Sequence, residues 1–374
     1  MNGEEKYYDI EPEDPDEVNG IGQDIESPFD PKKIKITIEP NTIYGLVQRM
    51  KFKNIDMNTE FQRKGNLWSA PVQSRLIESL LLRFPLPAFY FDATNDNKWL
   101  VVDGLQRLWS LKNFILEDKN PLITQGLEIL TGPDFSNKTF KGLSPTFQRR
   151  ILETPVTTYL IQPGTPKDVK YNVFRRINTS ALTLTPQEIR HALNQGQAAD
   201  YLKNITESKE FRSYIRVRDN RMQDRELVLR YLAYVLVDYR KYEKPMASFL
   251  DKRMEELNNL SQEKLDELRI NLLRALKLSK ELFKDHIFSR SIVEENRKML
   301  NSALFEVWTS SLAKLNNDEH KNIFKYKIEL ISEFKKKLSE DKDFKNSVST
   351  ATSGKAAVIK RFETIETLIK KYTL

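Results

Sequence analysis

The stretch Trp99-Leu-Val-Val-Asp103-Gly104-Leu105-Gln106-Arg107-Leu108-Trp109 decides the fold of the first half of this chain. Four apolar residues lead into an acid and a glycine, and a Gln-Arg pair then opens a helical pattern. This order predicts a strand, a tight turn and a helix start. A helix N-terminus presents free N–H groups that bind anions, and an arginine adds a planar fork for phosphate oxygens. The residues also allow a purely structural alternative, in which Asp103 caps the helix and Arg107 forms an ion pair.

Two further polar segments accompany this turn along the chain. Upstream, Gln62-Arg63 precedes Trp68 and an apolar helical pattern that ends at Pro85-Leu86-Pro87. Downstream, Phe174-Arg175-Arg176-Ile177-Asn178 leads into a Leu-Thr-x-x-Glu-Ile segment that ends at Ile189. In this order the motifs resemble the N-terminal domain of GmrSD-type restriction endonucleases, a family similar to the ParB/sulfiredoxin superfamily. The resemblance covers roughly residues 35–260.

The resemblance implies a domain that binds and hydrolyses nucleoside triphosphates and that serves in defence against foreign DNA. Asp103 would hold Mg²⁺ or orient a water, while Arg107 would bind phosphate and Gln106 would orient the reacting groups. The remaining nucleotide and phosphate contacts would come from Gln62, Arg63, Gly104, Arg175, Arg176 and Asn178. One position departs from the family pattern, because Leu105 stands where the family has glutamine.

Other functions remain open from the sequence. One alternative is a DNA-binding or regulatory module that does not hydrolyse nucleotides and recruits a separate nuclease subunit, and a weaker one is a ParB-like DNA nuclease. The chain has no P-loop motif, so phosphate binding depends on its arginines. An HNH nuclease site is disfavoured, because the residues around Asp285-His286 lack the expected proline and the following stretch has a helical pattern.

Composition excludes several classes of protein. The chain has no cysteine, which rules out disulfides and cysteine-bound zinc and fits a reducing cytoplasm. It also has no apolar run of the ~20 residues needed to cross a bilayer. Residues 1–30 hold eleven acidic residues and one lysine, a net charge of −10. Because the whole chain has a net charge of +7, residues 31–374 carry a net charge of +17. The acidic leader is predicted to be disordered, and the basic body predicts DNA as a partner.

The predicted fold class is α+β, with a small ParB/sulfiredoxin-like mixed domain followed by a mainly helical domain. We expect the disordered leader over 1–30, the mixed domain over 31–185 and the helical domain over 186–374. Strands are predicted at 34–38, 88–92, 99–102 and 156–162, the middle two forming a hairpin. Helices are predicted from an N-cap at Thr42 to Phe52 and from Ser69 to Phe84, and the pattern is almost wholly helical after Pro166.

Overall fold

The computed structural model describes residues 7–13, 30–57, 68–95, 97–177, 185–218, 221–294 and 298–373, without the side chains of residues 31, 167, 168 and 175. The chain folds as two compact units. The sheet unit comprises residues 27–184, and the helical unit comprises residues 1–26 and 185–374. The predicted α+β class, with a mostly helical C-terminal region, is confirmed.

The sheet unit combines five strands with five helices of at least seven residues among its described residues. The strands are β1 (Ile36–Thr42), β2 (Ile55–Asp56), β3 (Phe89–Asp92), β4 (Trp99–Asp103) and β5 (Pro155–Ile161). The helices are α1 (Ile43–Lys51), α2 (Ala70–Leu81), α3 (Leu105–Leu111), α4 (Pro145–Leu152) and α5 (Lys167–Ile177), and α3 continues as a π-helix over Lys112–Leu116. Short 3-10 turns lie at Pro31–Lys33 and Phe140–Gly142.

The five strands form one sheet in the order β1-β5-β3-β4-β2. β1 pairs antiparallel with β5, β5 parallel with β3, β3 antiparallel with β4, and β4 parallel with the short β2. The predicted hairpin of β3 and β4 is confirmed. Phe89, Phe91 and Val101 point from it into the core of the unit, which α1, α2 and α3 complete. The predicted half-buried strand at 34–38 starts two residues later, and most of its side chains are exposed because β1 lies at the sheet edge.

Local sequence signals explain where the helices of the sheet unit begin. The Thr42 hydroxyl accepts a hydrogen bond from the Gly45 N–H at 3.2 Å, which confirms the predicted N-cap of α1. Helices α2 and α4 each have a proline in their first turn, where the missing N–H leaves no bond unmade. Both devices act within a few residues and are therefore legible in the sequence.

The helical unit contains eleven α-helices among its described residues. They are α6 (Pro186–Leu193), α7 (Gln197–Glu207), α8 (Lys209–Tyr214), α9 (Gln223–Leu236), α10 (Met246–Leu257), α11 (Gln262–Phe283), α12 (Ser302–Ala313), α13 (Asn317–Lys325), α14 (Lys327–Glu340), α15 (Lys342–Ser347) and α16 (Lys355–Lys371). Short 3-10 turns lie at Tyr239–Lys241, Lys284–His286 and Arg290–Ile292. Helices α9 and α12 are buried over most of their length and form the centre of the unit. None of the helices in the described ranges has the length and hydropathy that a bilayer crossing requires.

Residues 7–13 correct the prediction of a disordered leader. Tyr8 pairs with Val217 and Ile10 pairs with Leu300, each as a parallel β-bridge to the helical unit. The Tyr8 N–H donates to the Arg216 carbonyl at 2.7 Å, and the Tyr8 side chain is buried. The prediction was wrong for these seven residues because it was based on their acidic composition. Tyr8 and Ile10 stand at alternate positions, a pattern that suits an extended segment with one buried face.

Candidate functional site

The turn between β4 and α3 requires glycine at position 104. Gly104 has φ +98°, a conformation that L side chains rarely adopt. A Cβ atom at this position would lie 2.5 Å from Cδ1 of Phe89. Any residue other than glycine would therefore clash with the Phe89 ring unless one of the two shifted. The turn thus brings the backbone against the core ring of Phe89 and delivers Asp103 and Arg107, four residues apart, to one place.

Arg107 is buried and is bound mainly by groups of the protein itself. Its Nη1 donates to the Pro87 carbonyl, and its Nη2 donates to the Ala88 carbonyl at 3.1 Å and to Asp103 Oδ2 at 2.7 Å. Its guanidinium carbon lies 4.5 Å from the ring centroid of Phe89. Burial lowers the pKa of Arg107, and the charge and hydrogen bond of Asp103 oppose this shift. Arg107 therefore ties the Pro85-Leu86-Pro87 segment to the turn.

Asp103 is held by Arg107 on one side and remains accessible on the other. The Asp103 side chain is 28% exposed, against 9% for the side chain of Arg107. The N-cap of α3 is Gly104, and no side chain caps this helix. Of the two structural roles considered from the sequence, the ion pair is present and the Asp103 cap is absent. Binding of phosphate by Arg107 stays a prediction.

Gln106 links the turn to the chain that follows the first Gln-Arg motif. Its Oε1 accepts a hydrogen bond from the Trp68 N–H at 3.3 Å. The Trp68 carbonyl in turn accepts from Nε2 of buried Gln73 at 2.7 Å, and Gln73 Oε1 accepts from Nδ2 of Asn113 at 3.0 Å. This chain of hydrogen bonds fixes the start of α2 beside α3.

The other predicted site residues are only partly described. Gln62, Arg63 and Asn178 lie outside the described residues, as does the side chain of Arg175. Arg176 is exposed on α5. Whether these side chains join Asp103 and Arg107 in one pocket stays a prediction.

Leu105, which departs from the family pattern, is a core residue. Its side chain is 5% exposed and belongs to the same apolar cluster as Phe89 and Leu108. The position therefore points inward from the first turn of α3.

Sequence reasoning missed the aromatic residues beside Asp103. The pairing of β3 with β4 shifts register between Tyr90 and Phe91, so that Tyr90 lies opposite Asp103 while Phe91 lies opposite Val101. The bulge places Asp103 opposite Tyr90, whose hydroxyl feels the charge of Asp103, while Arg107 lies between Asp103 and the ring of Phe89. Tyr90 stacks on Tyr159 of β5, with ring centroids 4.7 Å apart. The alternation Phe89-Tyr-Phe-Asp92 was the available signal, since it places aromatic rings on both faces of the strand.

A second polar cluster lies further along the same face. Lys170 of α5 is buried and donates to Asp92 Oδ2 at 2.9 Å and to the Thr94 hydroxyl. This ion pair fastens α5 to the end of β3, and α5 also packs against β4. The pair therefore sets the position of the helix that leads to the predicted residues Arg175, Arg176 and Asn178.

The histidines do not assemble a metal site in the part of the chain that the structure describes. No group of three or more histidine and carboxylate side chains there is close enough to hold a metal ion. His191 is buried beside Arg225, with Nδ1 3.2 Å from Nη1, and Nε2 of His320 lies 2.9 Å from the Leu312 carbonyl. Burial lowers the pKa of His320, which favours its neutral form.

Comparison with protein families identifies the segment that contains the turn. Residues 45–195 match the family described as GmrSD restriction endonuclease, N-terminal domain. Neither the search of curated proteins nor the search of solved structures gave a significant match. Residues 45–195 are therefore similar to the GmrSD N-terminal domain, and the resemblance that the motifs predicted is confirmed for this segment. The match suggests a component of a restriction system, consistent with defence against foreign DNA.

Proposed function

We propose that this protein binds and hydrolyses a nucleoside triphosphate, as a component of a restriction system directed against foreign DNA. The observation that carries the proposal is the state of Asp103. Its carboxylate is fixed by a buried arginine and keeps an edge exposed to solvent at a helix start. A carboxylate held in this way is ready to orient a water or a metal-bound phosphate without rearranging first.

The surroundings of Arg107 refine the role expected of it. Because Arg107 already donates to Pro87, Ala88 and Asp103, its first role is to position the carboxylate. It also supplies positive charge beside the phosphates. We assign the direct phosphate contacts to Arg63 and to the Arg175–Arg176 pair, and we assign Gln62, Gln106 and Asn178 to the orientation of water or ribose.

Mg²⁺ is compatible with this residue set. In nucleotide sites it commonly uses one or two carboxylates together with substrate phosphates, so a full cage of protein ligands is not required. Asp103 would be the protein ligand, and the bound ion would neutralise charge on the phosphates. The absence of a larger carboxylate cluster among the described residues fits this mode better than a metal site built from the protein alone.

Variants of the turn test the proposal. Asp103→Asn should reduce phosphate release with Mg²⁺ at least ~100-fold while changing nucleotide affinity only a few-fold, since the carboxylate acts mainly in turnover. Arg107→Ala should weaken both, because it releases Asp103 and removes charge. Asp118→Asn and Arg149→Ala are matched controls, since both residues are exposed in the same unit and outside the turn.

Equal turnover in the wild type and Asp103→Asn would refute the catalytic assignment. Nucleotide binding without turnover in the wild type would favour the alternative of a regulatory module that recruits a separate nuclease. Binding to DNA is a separate part of the proposal, supported by the charge of +17 beyond residue 30. It should fall steeply with salt, since each phosphate neutralised releases counterions.

A further inference from the structure

Four directly paired residues form a row across the sheet that ends at Asp103. The ladder pairs Ile38 with Tyr159, Tyr159 with Tyr90, and, at the bulge, Tyr90 with Asp103. Directly paired residues in a regular ladder point to the same side of a sheet, so Ile38, Tyr159 and Tyr90 share one face. We call this set the cross-strand row. It crosses β1, β5, β3 and β4 and ends at the carboxylate of the candidate site.

The row leaves apolar and aromatic surface open to solvent. Ile38 is 62% exposed, and both tyrosines are partly exposed. The tyrosine rings are nearly parallel, at 9°, with their centroids 4.7 Å apart. Neither hydroxyl has a hydrogen-bond partner among the described residues. The row thus combines apolar contact area with two unused hydroxyl groups and one carboxylate.

The open region is a limited part of the face. At the C-terminal ends of β3 and β5 the same face is covered. There Lys170 of α5 binds buried Asp92, and α5 also packs against β4. Ile161, which pairs with Asp92, is also buried. Thr157, two residues before Tyr159, is exposed. Exposed and partly exposed residues of the cross-strand row therefore adjoin a buried part of the same sheet at Asp92 and Ile161.

Within the row, Asp103 interacts electrostatically with Tyr90 in addition to being paired with it in the sheet. Burial raises the pKa of the Tyr90 hydroxyl, and Tyr159 and the negative charge of Asp103 raise it further. The Tyr90 hydroxyl is therefore a donor throughout the neutral range. From Asp103 to Tyr159 the row spans two strand spacings, about 10 Å. This is the scale of a nucleoside attached to a phosphate group.

We propose that the cross-strand row binds the base and ribose of the nucleotide whose phosphates lie at Asp103. The inference rests on the proposed function and extends it by assigning the nucleoside half. The rims of Tyr90 and Tyr159, together with Ile38, give the base an apolar surface, and the two phenol hydroxyls donate to base or ribose acceptors. Because the row is continuous with the turn, a single bound nucleotide reaches both.

The test compares a nucleotide with a ligand that has phosphates but no nucleoside. Full-length protein is titrated with ATP, with GTP and with inorganic tripolyphosphate in the presence of Mg²⁺. Ile38→Ser, Tyr90→Phe and Tyr159→Phe remove row contacts while keeping the tyrosine stack, and Tyr159→Ala removes a ring. Tyr44→Ala is the matched control, since Tyr44 lies on α1 and is 53% exposed.

The row variants should weaken nucleotide binding and spare tripolyphosphate. We expect about a threefold loss for each Tyr→Phe change, and about a tenfold or larger loss for Tyr159→Ala, which removes contact with the base. Crosslinking with an azido-nucleotide, mapped by mass spectrometry, should label residues 89–92 or 155–161. This readout uses the wild type and so does not depend on how well Tyr159→Ala folds.

Three outcomes overturn the inference in distinguishable ways. If wild-type protein binds nucleotides but every row variant matches it, the nucleoside lies elsewhere and the proposed function stands. If a row variant weakens nucleotide and tripolyphosphate equally, the row supports the fold and does not contact the nucleoside. If wild-type protein binds neither ligand, the proposed function fails and the assignment of the row fails with it.

Discussion

Two buried arginines, one in each unit, have similar partners and different surroundings. In the sheet unit, Arg107 binds Asp103, whose side chain is 28% exposed. In the helical unit, Arg361 binds Glu306, and both side chains are fully buried. Arg361 also donates to the Ser347 and Thr352 carbonyls, and Arg230 reaches Glu306 from α9 at 3.4 Å. Each arginine donates to two backbone carbonyls and to one carboxylate. Of the two carboxylates, only that of Asp103 is exposed and accessible to a ligand.

The difference separates a site from a structural brace. Removal of one member of a buried charge pair is destabilising, because it leaves the other member charged and without water. Glu306 is fully buried, so its carboxylate acts within this pairing. At Asp103 the exposed edge remains available after the ion pair has fixed the carboxylate. Exposure of the acid, rather than the presence of the pair, is therefore what marks the candidate site.

The largest expected effect is at the brace. Glu306→Ala should lower the free energy of unfolding of the helical unit by about 3–5 kcal/mol, since it leaves Arg361 buried without its counter-charge. Hydrogen exchange of the α12 and α16 amides during urea titration would measure this loss. Asp318→Ala, which breaks an exposed pair with Lys321, is the control and should leave the same amides unchanged. A loss below about 1 kcal/mol for Glu306→Ala would contradict the comparison.

A smaller effect is expected at the turn that carries the site. Gly104→Ala should destabilise the sheet unit by about 1–3 kcal/mol, because alanine at φ +98° is strained and its Cβ meets Phe89. Gly132→Ala is the matched control, since a Cβ there meets no heavy atom within 4 Å. Urea unfolding followed by hydrogen exchange of the β4 amides would compare them. Equal stability of the two variants would show that the turn does not depend on glycine.

Glu78 is also a buried acid, but its carboxylate is bound by backbone N–H groups, whereas Asp103 and Glu306 are bound by arginines. It accepts hydrogen bonds from the N–H groups of Glu128, Ile129 and Leu130 at 3.1, 2.8 and 2.7 Å. Burial opposes its ionisation, but these three donors outweigh burial and the pKa of Glu78 is lowered. Its ionised form therefore stabilises the folded state above the unfolded pKa of about 4.5, and that contribution is lost as the pH falls through the lower folded value.

The corresponding variant is Glu78→Gln. It should destabilise the sheet unit by about 1 kcal/mol at neutral pH, and the difference from wild type should shrink below pH about 4.5. Unfolding curves of both proteins from pH 3 to pH 7 would measure this. A difference that grows towards low pH would reverse the sign of the argument.

The smallest effect is expected for the acidic segment that docks on the helical unit. Burial raises the pKa of Glu13 even though Arg230 lies beside it and opposes the shift. Docking is therefore favoured by protonation of Glu13, and this contribution is lost as the pH rises through the raised value. Glu13→Gln resembles the protonated form, and Arg230 keeps Glu226 and Glu306 as partners.

Glu13→Gln should therefore change stability by less than about 1 kcal/mol. The N–H groups of Tyr8 and Glu11 should stay protected from hydrogen exchange in the variant, because their carbonyl partners Arg216 and Leu300 are unchanged. Loss of that protection would show that the Glu13 charge holds the segment in place. Glu13 would then have a structural role like that of Glu306.

Most of the elements of the sheet unit could be predicted from sequence. The N-cap at Thr42, the hairpin of β3 and β4, and the turn at Gly104 each depend on a few neighbouring residues. The family motif was also legible, since its spacing is local. For Leu105 the sequence showed only a departure from the family pattern, and its core role came from the structure, because a single leucine at a helix start fits either a site or a core.

What the sequence determined by itself was therefore most of the elements of the sheet unit, the family resemblance of residues 45–195 and the concentration of polar residues at Asp103-Gly104-Leu105-Gln106-Arg107. Tertiary structure decided which groups satisfy Arg107, that a bulge places Asp103 opposite Tyr90, and that an acidic segment docks through Tyr8 and Glu13. These features join residues from 13 positions apart, as for Tyr90 and Asp103, to more than 200 positions apart. Such pairings depend on strand register and on burial, and no local pattern encodes either of them.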